Sequence, residues 1–297
     1  MTRYAVLHGP RSGRGRAGGL AARVVAELAA AGHEVQDLQT DNVTVARAGC
    51  ARAVADGVDV LVVVGGDGIV SLAADALGRA GAPGPTRTAL GIVACGTGND
   101  NARSLGIPLD ADGALATLLH GRRRVVDLIE VQPLGRLVMG SVPAGLDAVI
   151  AARAELMPAW LGRSSYTLAA LTVIPRLRPM DYVLTLDDRE LRVRALVVAA
   201  CNMPVYGGGM TIAPSADPAD GLLDVVVIGV VGPGQALGLL RAVFAGRHTE
   251  HPAVTVHRAR SVRIAGPAVV AHGDGEALAR LPLTCTAVPG ALEVLVP

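Results

Sequence analysis

Val58-Asp59-Val60-Leu61-Val62-Val63-Val64-Gly65-Gly66-Asp67-Gly68 and Thr88-Ala89-Leu90-Gly91-Ile92-Val93-Ala94-Cys95-Gly96-Thr97-Gly98-Asn99-Asp100 are two versions of one pattern. A short apolar run rich in β-branched residues enters a glycine turn, and a helix-like segment follows. Such runs read as buried strands. Strand, glycine turn and helix together hold phosphate: backbone N–H groups point into the turn and the helix N-terminus favours negative charge. Each turn also carries a carboxylate, Asp67 or Asp100. Carboxylates beside phosphate repel it unless Mg²⁺ lies between, so the pair points to a Mg-nucleotide site. One such turn is equally well a structural device for positive φ. Two after consecutive strands favour a ligand at the carboxyl ends of an open sheet.

Composition narrows the classes around this centre. The chain has 297 residues, 51% hydrophobic and 18% charged, enough for two ordinary domains with sizeable cores. Aromatics are 2%, which argues against a base-stacking nucleic-acid platform, and the net charge of +1 implies no strong electrostatic partner. Cys50, Cys95, Cys201 and Cys285 show no paired-ligand spacing and read as buried thiols. No signal-like or bilayer-spanning run is evident, so the expectation is a soluble cytoplasmic protein with at most peripheral membrane contact.

Outward from the two turns, strands are expected at 4–7 and 34–38 and helices at 20–31, 44–55 and 70–77, the second capped from Asp41-Asn42. Helices follow from Asn99 to before Gly106 and over 111–119. Alternating strands and helices give a doubly wound parallel sheet. The texture changes near Asp127. Strands are then expected at 128–132, 137–141, 182–186, 191–200, 223–228, 261–264, 268–272, 283–287 and 292–296. Helices interrupt at 147–156 and 165–174, and Asp187-Asp188 is a hairpin turn. The fold class is therefore α/β + β: a doubly wound α/β nucleotide-binding domain, then a mostly antiparallel, β-sandwich-like domain.

The stretches Gly65-Gly66-Asp67-Gly68 and Gly96-Thr97-Gly98-Asn99-Asp100-Asn101-Ala102-Arg103 resemble the diacylglycerol kinase catalytic domain family, which includes bacterial lipid kinases and the sphingosine and ceramide kinases. The second motif is the more specific, since NAD kinases share the first. Further matches run from Pro10, Ser12 and Gly13 in an Asn-Pro-x-Ser-Gly-like loop to Asp274-Gly275-Glu276. The resemblance implies domains at 1–126 with a returning strand at 289–297, and at 127–288. It implies ATP and Mg²⁺ as cofactors and a lipid with a free hydroxyl as substrate. A place at the inner membrane face and a homodimer go with that reading.

Nucleotide contacts are then expected from Gly65, Gly66, Gly68, Gly96, Thr97, Gly98, Asn99, Ser12, Arg103 and Asp274. Asn99 is otherwise a helix cap. Asp67, Asp100 and Asp127 are the expected metal network. Asp220, beside the Gly207-Gly208-Gly209 run, is a further metal candidate or a plain turn. The resemblance offers Glu276 as general base, with Asp67 the alternative as in sphingosine-kinase-like members; Asp274-Gly275 is otherwise an ordinary hairpin turn. Arg122-Arg123-Arg124 reads as a solvated face or a lipid-headgroup contact. Leu156, Met157, Trp160 and Leu161 are candidates for an acyl-chain groove.

The chain departs from the family at Ile69 and Leu72, where Thr and Glu are usual, while Val70 and Ser71 between them keep the pattern, and at Ala94 and Asn101. Hence two rival readings stand: a non-catalytic or divergent nucleotide- or lipid-binding member, and an NAD-kinase-like enzyme. The second turn, continued by Ala102-Arg103, argues against the latter.

Overall fold

The structure, a computed structural model, describes residues 1–9, 16–82, 84–145, 169, 172 and 178–297. The expected helices at 147–156 and 165–174, the acyl-groove candidates and Ser12 lie outside the described residues. Chain contacts divide the protein into two compact units, Met1–Leu128 with Pro289–Pro297, and Ile129–Val288.

In the first unit, β1 (Arg3–His8), β2 (Glu34–Gln39), β3 (Val60–Gly65) and β4 (Ala89–Ala94) form a parallel sheet in the order β2-β1-β3-β4. Val6 sits beside Asp37 on one side and Val62 on the other, and Val62 beside Gly91. Helices α1 (Ala17–Ala30) and α5 (Ala111–His120) bury Val24, Leu28, Leu115 and Leu118 against Tyr4, Val6, Val62 and Val93. Helices α2 (Val43–Ala55) and α3 (Asp67–Gly81) pack on one another and on β1, β3 and β4. The doubly wound expectation is borne out. Asp75 of α3 is buried and ion-paired with Arg47 of α2 at 2.7 Å and with Arg79 at 2.8 Å, which ties the two helices together. Asn42 caps α2 by accepting from the Val45 N–H at 3.0 Å.

The second unit is mostly antiparallel. β8 (Met180–Leu186) turns through Asp187, with φ 50°, into the long β9 (Arg189–Cys201). Strand β9 also pairs with β7 (Ser141–Gly145) and with β12 (Leu223–Gly229). Strand β13 (Val254–Ala259) follows β12, and β14 (Ser261–Ala265) joins β8 to the start of β17 (Leu283–Val296). Both faces of β12 are covered. Leu223, Val225 and Val227 enter one apolar cluster, while Val226 and Ile228 enter another under α6 (Pro233–Phe244). That explains an unbroken apolar run where a one-sided strand would alternate. Short pairs complete the unit: β5 (Arg122–Gln132) with β6 (Arg136–Val138), β10 (Val205–Tyr206) with β11 (Met210–Thr211), and β15 (Val270–Gly273) with β16 (Glu276–Arg280).

Several expectations change. The segments 283–287 and 292–296 are one strand, β17: Gly290 takes φ 62° and the chain kinks without breaking. The segment 137–141 divides at Met139-Gly140. Helix α3 starts at Asp67, not Val70. Arg122-Arg123-Arg124 is strand, and Arg123 is not merely solvated: it pairs with Glu293 at 2.7 Å and donates to the carbonyls of Arg87 and Asp59. Helix α6 and β13 have no counterpart in the expectations, although Pro233 at the first helical turn and apolar Ala236, Leu239 and Val243 mark α6 in the sequence. Among the described residues no helix is long and apolar enough to cross a membrane.

Candidate active site

Strands β3 and β4 are neighbours, so their carboxyl ends bring the two glycine turns side by side. The ladder runs to Gly65 beside Ala94, and the Cys95 N–H donates to the Gly65 carbonyl at 2.9 Å. The turns touch through backbone. A Cβ on Gly96 would lie 2.5 Å from the Cα of Gly66, and one on Gly66 would lie 3.1 Å from the Cα of Gly96. Neither residue, nor Gly65, Gly68 or Gly98, has positive φ. The glycines at 66 and 96 therefore serve a close backbone approach, not a left-handed conformation.

Gly98 has a different reason. A Cβ there would stand 2.9 Å from Oδ2 of Asp67 and 3.3 Å from Oδ2 of Asp100, so both carboxylates converge on the space that a side chain would fill. Asp67 opens α3, and its Oδ1 accepts the Asn101 N–H at 3.1 Å. Burial pushes the Asp67 carboxyl above the ordinary carboxylate range, opposed by backbone N–H groups of Asn101, Asn99, Asp100 and Asp67 itself. Asp100 opens the short α4 (Asp100–Ser104).

Asn99 does not cap that helix. It sits at φ 56°, its Nδ2 donates to the Gly96 carbonyl at 3.2 Å, and its Oδ1 is buried with no hydrogen-bond partner. A buried acceptor without a donor is costly in an empty fold and suits a site that receives a ligand or its water. Arg103 reaches back, Nε donating to the Gly98 carbonyl at 3.1 Å, and so holds the second turn in shape. Thr97 is exposed at its tip. Arg16 stands close enough to Cys95 for its charge to oppose the rise that burial imposes on that thiol.

The donor set fits Mg-nucleotide. Mg²⁺ commonly takes one or two protein carboxylates, with phosphate oxygens and water completing its octahedron. Asp67 and Asp100 supply two, beside the N–H groups and dipole of the first turn of α3. Asp127 is placed otherwise. It is buried in β5, and its Oδ1 accepts the Gly290 N–H at 2.8 Å. Among the described residues no three His, Cys, Asp or Glu side chains gather as a ligand set.

In the second unit, Asp274 and Gly275 form a two-residue hairpin turn with φ 48° and 86° between β15 and β16. The carboxylate of Asp274 is not idle. It accepts the N–H groups of Met139 at 3.0 Å, Gly140 at 2.9 Å and Ser141 at 3.3 Å, which is why the chain bends there between β6 and β7. Glu276 is exposed at the start of β16 and ion-paired with Arg136, a partner that no local spacing announces. Asp220 accepts the Leu222 N–H at 2.9 Å and pairs with Arg258, so a cation already stands beside this carboxylate. Of the two departures on α3, Leu72 is buried and Ile69 half-buried.

Comparison with known proteins matches both parts of the chain. Residues 3–131 match the model of the diacylglycerol kinase catalytic domain, and residues 140–296 that of the YegS C-terminal NAD kinase beta sandwich-like domain. A diacylglycerol kinase of Mycobacterium tuberculosis is 36% identical over 98% of this chain and 94% of its own length. A Pseudomonas aeruginosa protein named "Probable lipid kinase YegS-like" is 31% identical over 98% of this chain and 93% of its own. The crystal structure of a diacylglycerol kinase from Bacillus anthracis shares the fold, with a TM-score of 0.76 at 20% identity over 99% of this chain and 97% of that one.

Proposed function

The chain belongs to the diacylglycerol kinase catalytic domain family, and on that premise we propose that it is a lipid kinase, transferring the γ-phosphate of Mg-ATP to a free lipid hydroxyl, in the simplest case that of diacylglycerol. The observation that carries the reading is the pair of abutting glycine turns with the carboxylates of Asp67 and Asp100 both close to Gly98.

Bound Mg-ATP supplies the phosphoryl group and the charge neutralisation that transfer requires. The protein's own part is placement. The N–H groups at the start of α3 and in the second turn receive phosphate oxygens, and Thr97 adds a hydroxyl. Asp67 and Asp100 hold the metal, with Asp127 acting at a distance by fixing β5 to Gly290. Arg103 keeps the turn in shape through Gly98. Glu276 takes the proton of the lipid hydroxyl, and Arg136 orients it. A second assignment of the base, Asp67, is favoured by the burial that raises its carboxyl. The enzyme works in the cytoplasm at the inner membrane face.

The test is transfer of labelled γ-phosphate from ATP to a panel of lipid alcohols in detergent micelles. Wild type should yield labelled lipid. Replacing the base, Glu276→Ala or Asp67→Asn, should cut the rate about 100-fold or more. ATP binding with no labelled lipid from any acceptor would move the reading to a non-catalytic member.

A further inference from the structure

Helix α6 buries Ala236, Leu239 and Val243 in the core of the second unit. On a helix in water the other side is expected to be polar. The exposed side of α1, with Ala22, Arg23, Ala26 and Glu27, fits that rule. Helix α6 does not: its exposed residues are Gly234, Gln235, Leu237, Gly238, Arg241 and Phe244, besides Ala245 just beyond it. Leu237 is 39% exposed, Phe244 37%, and Val230 on the approach to the helix 55%. Phe244 is the single phenylalanine of the chain. Residues 225–249 contain no Asp or Glu, while Arg241 stands between Leu237 and Phe244 on one side of the helix, and Arg247 follows.

We propose that this side of α6, with Val230, docks on an anionic lipid bilayer. The size of the face decides against a second copy of the chain. A 12-residue helix is about 18 Å long and about 10 Å wide, which offers roughly 180 Å². A stable dimer needs about 800 Å² from each partner. A two-fold contact over so small a face would also bring Arg241 towards its own copy. A bilayer asks for no such area. Leu237, Phe244 and Val230 enter the headgroup boundary, and Arg241 and Arg247 meet lipid phosphates. The inference rests on the proposed function only in taking the substrate to lie in a bilayer.

The experiment is co-sedimentation of the full chain with phosphatidylcholine vesicles, with and without phosphatidylglycerol. Wild type should sediment with the anionic vesicles, less so in high salt. Leu237→Glu/Phe244→Glu should lose binding about tenfold or more, and Arg241→Glu should lose part of it. A second probe leaves the surface apolar: Phe244→Trp should gain fluorescence that brominated lipid quenches, beyond the signal from Trp160. Wild type left in the supernatant, a double variant that binds like wild type, or no added quenching would overturn the proposal. So would a dimer that the double variant splits while vesicle binding persists. Vesicle binding without phosphoryl transfer would sink the kinase reading and leave this one standing. Transfer in micelles without vesicle binding would do the reverse.

Discussion

Gly96→Ala and Gly98→Ala should separate the two uses of glycine at this site. The Cβ that Gly96→Ala introduces would stand 2.5 Å from the Cα of Gly66. Carbon atoms rest about 3.5–4.0 Å apart, so the turns would have to part by roughly 1–1.5 Å. The Cys95–Gly65 hydrogen bond and the last rung of the β3–β4 ladder oppose that. Overpacking costs about 1–3 kcal/mol and a lost hydrogen bond about 1 kcal/mol, so Gly96→Ala should destabilise by roughly 2–4 kcal/mol. At Gly98 the new Cβ meets a side-chain oxygen of Asp67 at 2.9 Å, which can swing aside. Stability should then change by less than about 1 kcal/mol. The displaced carboxylate should instead cost transfer about 100-fold, as misplacement near 1 Å does. Urea unfolding and the labelled-phosphate assay read the two effects. Gly96→Ala within about 0.5 kcal/mol of wild type, or a larger destabilisation by Gly98→Ala, would refute the packing argument.

Asp67→Asn should show a pH signature. Burial raises the folded carboxyl, so ionising it costs the folded state; wild type is favoured below the ordinary value near about 4 and loses that stability as pH rises through the raised value. The variant should therefore melt higher than wild type at neutral pH and together with it in acid; a pH-independent offset would count against this account. Asp274→Ala strips the acceptor from three amides and leaves alanine at φ 48°, which should cost about 3 kcal/mol, whereas Asp274→Asn keeps one acceptor oxygen and the backbone preference and should cost about 1 kcal/mol in urea unfolding. Equal losses would place the constraint in the turn rather than in the carboxylate. Arg47→Ala/Arg79→Ala takes two ion pairs from the buried Asp75, at a cost of about 3–5 kcal/mol. Asp75→Ala should cost less, because both arginines are about half exposed and can turn to water; a thermal-melt ranking in the opposite order would contradict this.

Much of the fold was legible because it rests on local signals. Valine-rich runs, the Asn42 cap and the glycine turns after β3 and β4 are each contained within a dozen residues, and they suffice for a parallel α/β layer followed by antiparallel strands. Helix α6 carried a readable signal that the expectations passed over, a proline start and three apolar residues on one side. Strand β17 was harder. Pro289-Gly290 looks like a break, and only the N–H of Gly290 donating to Asp127 shows how the strand continues through it.

The sequence by itself determined which residue types stand at the carboxyl ends of two consecutive strands, since strand extent and turn position follow from periodicity and glycine, whereas the order of the strands is a property of the folded sheet. Why each stands there was decided in three dimensions. Gly66 and Gly96 are far apart in the chain, yet each is glycine because the other's backbone lies against it. Asp67 meets the Asn101 amide, Glu276 meets Arg136, and Asp274 meets the amides of residues 139–141. A hydrogen bond or a steric clash depends on distance through space, and linear spacing carries no record of it beyond a few turns of chain.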